Sequence, residues 1–403
     1  MKNIFNFKTI EPWPEVNIQE WRDWRWQFRN SLRSRVQFAE HFQITLEEEK
    51  GFAGLDKIFR VQSTPYYLSL IDKGVAKDPI RQMVFPHGAE LTEGAQQMLD
   101  PLGEKQNSNR PTHRLIHRYS DRALFLVTDL CSVYCRYCTR KHFTGSDQVL
   151  ASKEQLQAAV DYVAARPGIK EILFSGGDPL TLSNEKLEVF LKAFYEIPHV
   201  ELIRVGTRMP VVAPMRIDQD LVHLFKEYKP VYLMTHFNHP QEITKDAAMA
   251  LESLVDNGIP VFNQMVLLNG INNHPAIVYA LSRRLLWLRV KPYYMFQADP
   301  SPGTDALRTP IEQSLQIQKE LWGHTSGLAM PNYVVDIPKG GGKAPLVPDF
   351  LKERSKNKWS FVGWDGVSAD YISPAQVVEP NPETLAPYLE EWRQVQSSRH
   401  PNL

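Results

Sequence analysis

Six short apolar runs, set at a regular interval, restrict this chain more than any other feature. They are "ALFLVTD" (123–129), "EILFSGG" (171–177), "ELIRVGT" (201–207), "VYLMTHF" (231–237), "PVFNQMVLL" (260–268) and "KPYYMFQAD" (291–299), and from the second onward their starts lie about thirty residues apart. Segments with helical periodicity separate them. "SKEQLQAAVDYVAA" opens with a capping box from Ser152 to Gln155, and "TKDAAMALESLVDNG" stops at Asn257-Gly258. "TPIEQSLQIQKEL" reads as a helix with Thr309 as cap, Pro310 at the first helical position and Glu312 closing the box. Strand, helix, strand at this interval predicts βαβ units around a parallel sheet, an α/β fold. Such a series makes either an open sheet or part of a (β/α) barrel. Polar residues gather at the strand ends: Ser175-Gly176-Gly177-Asp178, Thr207-Arg208, His236, Gln264 and Asp299. A barrel brings those ends to one mouth, whereas an open sheet spreads them along a crevice, so a partial (β/α)6 barrel is expected.

The flanks differ from this pattern. Residues 1–110 read as a mainly helical region, with "NIQEWRDWRWQFRNSLRS" and "ITLEEEKGFAGL" as helices and the tryptophans assigned to packing or subunit contact. "PLGEKQNSNRPT" (101–112) is turn-rich and reads as a linker. Residues 111–345 form the barrel with a lysine loop, and 346–403 form an extension with a hairpin turning at Asp365-Gly366 and a last helix in "PETLAPYLEEWRQVQ". Lys and Arg number 46, as do Asp and Glu, so no charge imbalance draws the chain to nucleic acid or a membrane surface. No apolar stretch approaches the ~20 residues of a membrane span, and the N-terminus lacks a signal-peptide pattern. A cytoplasmic address is expected.

All three cysteines fall in "CSVYCRYC", as Cys131, Cys135 and Cys138. Disulfide frameworks want even numbers, and a structural zinc site wants four ligands, for which His142 is the nearest candidate. A four-iron cluster held by three thiolates keeps one iron without a protein ligand. The C-x3-C-x2-C spacing, directly after the first strand of a βα series, resembles the radical S-adenosylmethionine superfamily. That resemblance implies a 4Fe-4S cluster on the three cysteines, whose open iron binds S-adenosylmethionine and cleaves it reductively to a deoxyadenosyl radical. "FSGGDP" resembles that superfamily's glycine turn, which implies that Ser175, Gly176, Gly177 and Asp178 lie beside the methionyl group.

"DIPKGGGKAP" places Lys343 after a glycine run, in a loop where a lysine can form a Schiff base with pyridoxal 5'-phosphate. Taken alone, the stretch is equally a phosphate-binding turn or a flexible loop. Together with "HRYSDRALFLVTDLCSVYCRYCTRK", "THFNHPQEIT", "NQMVLLNGIN", "RTPIEQ" and "GHTSG", it resembles the lysine 2,3-aminomutase family, from about 113 to 346. The resemblance implies that Lys343 holds pyridoxal phosphate and that Arg118 and Arg122 clamp its phosphate, with Tyr119 close by. It places His236 and Gln264 at S-adenosylmethionine, Arg140 on the substrate α-carboxylate, and Asp299 and Asp336 on a distal cation. The reaction implied moves the α-amino group of L-lysine to the β-carbon, after the radical has removed a hydrogen there. Arginine or ornithine would satisfy the same charges, and the rival classes are a radical enzyme acting on a peptide or protein and a non-catalytic zinc-binding interaction protein. Here Lys339 stands where the family often has a fourth glycine, and no C-terminal cysteines are present to hold a structural zinc. A reducing electron donor and homo-oligomeric assembly are expected partners.

Overall fold

The structure is a computed structural model that describes residues 4–55, 59–75, 77–92, 94, 96–106, 109–145, 149–374 and 377–397. Nine strands form one sheet: β1 Leu115–Tyr119, β2 Arg122–Thr128, β3 Glu171–Gly176, β4 Leu202–Gly206, β5 Val231–Thr235, β6 Val261–Leu267, β7 Lys291–Gln297, β8 Asn332–Ile337 and β9 Gly342–Pro345. Their spatial order is their chain order. Every pair from β2 to β8 is parallel, while β1 and β9 add antiparallel edges. Helices Lys153–Ala164, Asn184–Tyr195, Gln219–Glu227, Lys245–Asp256, Pro275–Trp287 and Ile311–Leu321 carry the crossovers. Successive crossovers in one direction curl a twisted parallel sheet, which gives the partial barrel expected from the spacing. Asn332–Ile337, β1 and β9 extend it beyond the six expected strands.

The strands alternate in a way that determines the site. On β6, Val261, Asn263, Met265 and Leu267 are buried, while Phe262, Gln264 and Val266 are half-buried. The buried set faces the helices and the other set faces inward, so the barrel encloses a cavity. On the outer side Phe194, from the helix Asn184–Tyr195, packs its ring 5.3 Å from Phe125 and 5.7 Å from Phe174. Burying each such ring contributes roughly 1.5–3 kcal/mol.

The sheet's two edges are joined by side chains. The Lys343 amide donates to Tyr119 Oη at 2.9 Å, and Arg118 Nη2 lies 3.4 Å from Asp336 Oδ1. Residues from β1 therefore meet residues from β8 and β9, more than two hundred positions later in the chain.

Several sequence expectations change in detail. The tryptophan-rich segment is two short helices, Ile18–Trp21 and Trp24–Arg29, because Asp23 between them accepts from the Arg25 amide and starts a new helix. Trp21 and Trp24 are core residues. Thr309 does not cap its helix, which begins at Ile311 after Pro310; the Thr309 carbonyl instead accepts from Gln297 Nε2 at 2.5 Å. The capping box at Ser152 forms as expected, and Asn257 ends its helix with Gly258 at φ 78°. The turn-rich 101–112 segment is not a loose linker. Leu102, Glu104 and Asn109 are buried, and three of its carbonyls accept bonds from the barrel or its loops. The C-terminal hairpin forms around Asp365-Gly366 between β11 Lys358–Val362 and β12 Ser368–Ile372, with β10 Leu351–Ser355 as an added strand. The helix Pro382–Ser397 follows. Among the described residues no helix is long and apolar enough to cross a membrane.

Candidate active site

The inward side chains and the loops at the carboxyl ends of the strands line a cavity of about 350 Å³. That volume suits a small ligand. Its wall includes Cys135, Cys138, Arg118, Tyr119, Arg122, Arg140, Ser175, His236, Gln264, Asp299, Asp336 and Lys343. Thus most of the residues singled out in the sequence meet in one place, although they span more than two hundred positions of the chain. Cys131, Gly176, Gly177 and Asp178 stand outside that wall.

The cysteine loop follows β2 and is fastened by residues between the cysteines. Arg136 is 1 % exposed and forks onto Glu90, with bonds of 2.7–3.1 Å, and its other nitrogens reach the carbonyls of Phe59 and Arg60. The Tyr134 and Arg136 amides donate to Gln62 and Met83 carbonyls, and Gln62 Nε2 donates to the Cys131 carbonyl at 2.7 Å. With Tyr134 and Arg136 anchored behind, the loop turns Cys135 and Cys138 toward the cavity. All three thiols are free. Burial pushes the Cys131 and Cys138 thiols up, with the neighbouring sulfurs adding to the effect. A cationic iron cluster reverses that preference, because it is a local positive charge that binds thiolate. Among the described residues, no three of His, Cys, Asp and Glu stand close enough to share one metal ion. Three thiolates in one loop can each anchor one iron of a four-iron cluster.

The glycine turn after β3 serves this loop. A Cβ on Gly177 would overlap the Leu130 carbonyl, and one on Gly176 would overlap the Thr128 carbonyl. The Gly177 and Asp178 amides donate to those same two carbonyls at 2.6 Å. The missing side chains therefore let the backbone approach the cysteine loop, where the sequence suggested approach to a ligand. Asp178 is likewise spent on protein: its carboxylate accepts from the Leu180 and Arg208 amides and from Thr207 Oγ1, at 2.7–3.0 Å. Replacing Gly177 by Ala is expected to displace residues 128–130. Iron bound after reconstitution should fall several-fold, measured against total protein; unchanged iron content would show that the loop tolerates the shift.

Behind the cysteines lies a polar network that the sequence reading had not resolved. Arg208, at the end of β4, is 8 % exposed. Its Nη1 donates to Cys135 Sγ, and its Nη2 donates to Tyr67 Oη and Glu242 Oε1, each at 2.7 Å. Glu242 is fully buried, and although burial opposes its charge, the Arg208 cation holds its carboxyl below the usual range. Next to it His236 donates Nδ1–H to the Gln264 carbonyl at 2.5 Å, which leaves Nε2 to accept from Tyr137 Oη at 3.0 Å. Burial, and then Arg208, lower its pKa to about 4, so the imidazole is neutral at physiological pH. The only sequence sign of Arg208 was its place at a strand end, a weak signal for one arginine among many.

Lys343 is set by register. It pairs directly with Asp336 across the β8–β9 ladder, and its Nζ lies 3.2 Å from Asp336 Oδ1. Gly340 and Gly342 have φ of 89° and 84°, and a Cβ at Gly340 would overlap Asn109, so the glycine run is a steric requirement here. Lys339 is exposed and absent from the cavity wall. That separates the two amines of the loop. Asp299, across the cavity, has its pKa raised to about 7, first by burial and then by Asp336. A cation coming near favours its charged form.

Positive groups meet these carboxylates. Arg118 donates to the Leu102 carbonyl at 2.9 Å, and Arg122 lies 4.0 Å over the Tyr119 ring. Arg204, on β4, also reaches the cavity and pairs with Glu171 at 2.8 Å. Among the described residues, the buried Nε–H groups of Arg118 and Arg204 have no hydrogen-bond partner. Buried donors of this kind fit an anion such as a phosphate. Arg140 holds Glu104 in a two-pronged pair, with Nη2 to Oε1 at 2.6 Å and Nε to Oε2 at 2.8 Å, and reaches Ser175 Oγ at 3.1 Å.

The sequence is similar to those of known proteins. Residues 125–279 match the radical SAM superfamily, and residues 318–398 match the family described as lysine-2,3-aminomutase. The L-lysine 2,3-aminomutase of Clostridium subterminale is 43 % identical over 367 residues, which cover 91 % of this chain and 88 % of that protein. The L-lysine 2,3-aminomutase of Acetoanaerobium sticklandii is 44 % identical over 359 residues, covering 89 % and 86 %. The glutamate 2,3-aminomutase of Clostridioides difficile is 40 % identical over 348 residues, covering 86 % and 82 %. The chain belongs to the lysine 2,3-aminomutase family of radical S-adenosylmethionine enzymes, which are isomerases.

Proposed function

We propose that the protein is a pyridoxal phosphate-dependent 2,3-aminomutase that converts L-lysine to β-lysine. The observation that carries the reading is the pair Asp299 and Asp336 in the same cavity as Lys343 and Arg140. When bound, the 4Fe-4S cluster and S-adenosylmethionine supply a hydrogen-abstracting radical, and pyridoxal phosphate supplies conjugation to the migrating nitrogen. In this reading Cys131, Cys135 and Cys138 hold the cluster. Ser175, His236 and Gln264 line the S-adenosylmethionine side of the cavity, with Gly176, Gly177 and Asp178 bracing the cysteine loop behind it. Lys343 holds pyridoxal phosphate, and Arg118 and Arg122 clamp its phosphate beside Tyr119. Arg140 binds the substrate α-carboxylate. The radical cycle draws its electron from a reducing donor. The C-terminal strands and helix, where Trp364, Tyr371, Tyr388 and Trp392 stand exposed, are where we place contact with a second copy.

Charge argues for a cationic amino acid. An ammonium about 4 Å from a carboxylate gains roughly 4 kcal/mol at an effective dielectric of about 20, a preference of about a thousandfold. A cation between Asp299 and Asp336 also relieves their repulsion, and Asp299 loses its proton as the cation arrives. A glutamate side chain would meet repulsion at the same place. Arginine and ornithine carry the right charge, and length decides among the three.

The direct test incubates reconstituted protein, without oxygen, with a reductant, S-adenosylmethionine and each of the twenty amino acids in turn. β-Lysine should dominate the products; a β-amino product from glutamate alone would overturn the assignment. Asp336→Asn is expected to raise KM for lysine about tenfold or more, the loss of one close charge. An unchanged KM would mean that the cation is held elsewhere.

A further inference from the structure

The structure assigns Glu104 as a positioning residue that aims Arg140 at the substrate. We infer that its carboxylate takes one edge of the Arg140 guanidinium and leaves the other for the amino acid's α-carboxylate. The inference rests on the reading of Arg140 given above.

Arginine has five N–H donors in a rigid plane. Here Nε and one N–H of Nη2 go to Glu104, with bonds of 2.6–3.1 Å, and one N–H of Nη1 goes to Ser175 Oγ at 3.1 Å. One N–H remains on each terminal nitrogen, a pair that matches the two oxygens of a carboxylate. Glu104 lines the same cavity and is 7 % exposed. Although burial works against its charge, Arg140 holds its carboxyl below the usual range. An anion so placed would repel a substrate carboxylate if it met one directly, and it is already engaged with the guanidinium. Its part is therefore to hold direction.

The turn that carries Glu104 is itself anchored. The Glu104 and Lys105 amides donate to the Asp100 carboxylate at 2.9 and 2.7 Å. The carbonyls just before it serve the rest of the site: Pro101 accepts from the Lys339 amide at 3.0 Å, and Leu102 accepts from Arg118 at 2.9 Å. One short turn thus braces the lysine loop, an arginine of the phosphate side and the arginine of the carboxylate side. That arrangement gives Glu104 a fixed place from which to orient Arg140.

The test uses the full-length protein loaded with cluster and pyridoxal phosphate. Binding of L-lysine is compared with binding of 1,5-diaminopentane, which has the same two amines and no carboxylate, through the absorption change of the bound pyridoxal phosphate. The wild type should prefer lysine by at least about tenfold, the size expected for one charge-assisted bidentate pair. Arg140→Gln and Glu104→Gln should both lose that preference, with iron content and cofactor absorption unchanged. Glu104→Asp, which keeps the charge but withdraws it by one methylene, should fall between. If Arg140→Gln loses the preference while Glu104→Gln keeps it, the inference about Glu104 is overturned and the role of Arg140 stands. If Arg140→Gln keeps it, the reading of Arg140 fails and takes this inference with it. Tighter lysine binding by Glu104→Gln would make Glu104 a competitor for the carboxylate seat, which also overturns the proposal. Should Glu104→Gln not hold iron, Glu104→Asp decides, and a wild-type preference in it counts against the role.

Discussion

Cys135→Ala is expected to abolish iron binding and turnover together, while leaving the fold in place. Two thiolates cannot replace three as anchors of a four-iron cluster, since each thiolate holds one iron corner. The substitution also removes the sulfur that accepts from Arg208 Nη1 at 2.7 Å, and leaves that buried cation to Glu242, Tyr67 and Met83. The loop itself should survive. It is fastened by the Arg136–Glu90 pair, the Gln62 bond and main-chain contacts, none of which uses a cysteine side chain. Anaerobic reconstitution, iron and sulfide analysis, and product assay on the same sample read the result, with circular dichroism as the control for folding. Undiminished turnover in iron-free protein would refute the assignment of the cluster.

Lys343→Ala should be as severe for the second cofactor. Pyridoxal phosphate is expected to lose its covalent attachment and its characteristic absorption, and activity should fall to background. Lys343 is the half-buried amine on the cavity wall, whereas Lys339 is exposed and lies outside it. Position follows from the ladder: Lys343 stands opposite Asp336 and its Nζ lies 3.2 Å from that carboxylate. Once the lysine is gone, Asp336 keeps the longer 3.4 Å contact with Arg118, which cannot replace an amine nucleophile. Borohydride reduction of the wild type followed by peptide mass analysis should place the cofactor on Lys343. A tag on Lys339, or a retained covalent cofactor in Lys343→Ala, would refute the assignment.

Several features were legible because their causes are local. The parallel strands announce themselves as short apolar runs bounded by turns, and the crossover helices by periodicity and caps such as Ser152–Gln155. The cysteine triplet and the glycine run before Lys343 are each contiguous in the chain, so their spacing could be read from adjacent letters. Where neighbours compete, the reading slipped. Asp23 could cap a second helix as well as sit inside a long one, and capping won. The 101–112 stretch has the composition of a linker, because tight turns and linkers use the same residues; its burial depends on what lies above it.

The partners of Glu104, Arg204 and Arg208 were not legible, and neither was the close approach of Gly177 to the cysteine loop. Each depends on a partner far along the chain. Glu104 meets Arg140 across 36 positions, Arg208 meets Cys135 across 73, and Arg118 meets Asp336 across 218. A buried arginine has the same letter as an exposed one, and only burial with a partner turns it from a solvated charge into a fixed donor.

The order of letters thus determined the βα series, the cysteine loop and the lysine loop, since backbone preference and short-range spacing act between neighbours. The curl of the sheet decided which of those loops share a cavity, which amine faces it, and which carboxylate is spent on holding an arginine. Those outcomes belong to contacts between distant segments, whose energies exist only once the strands have wrapped around a common space.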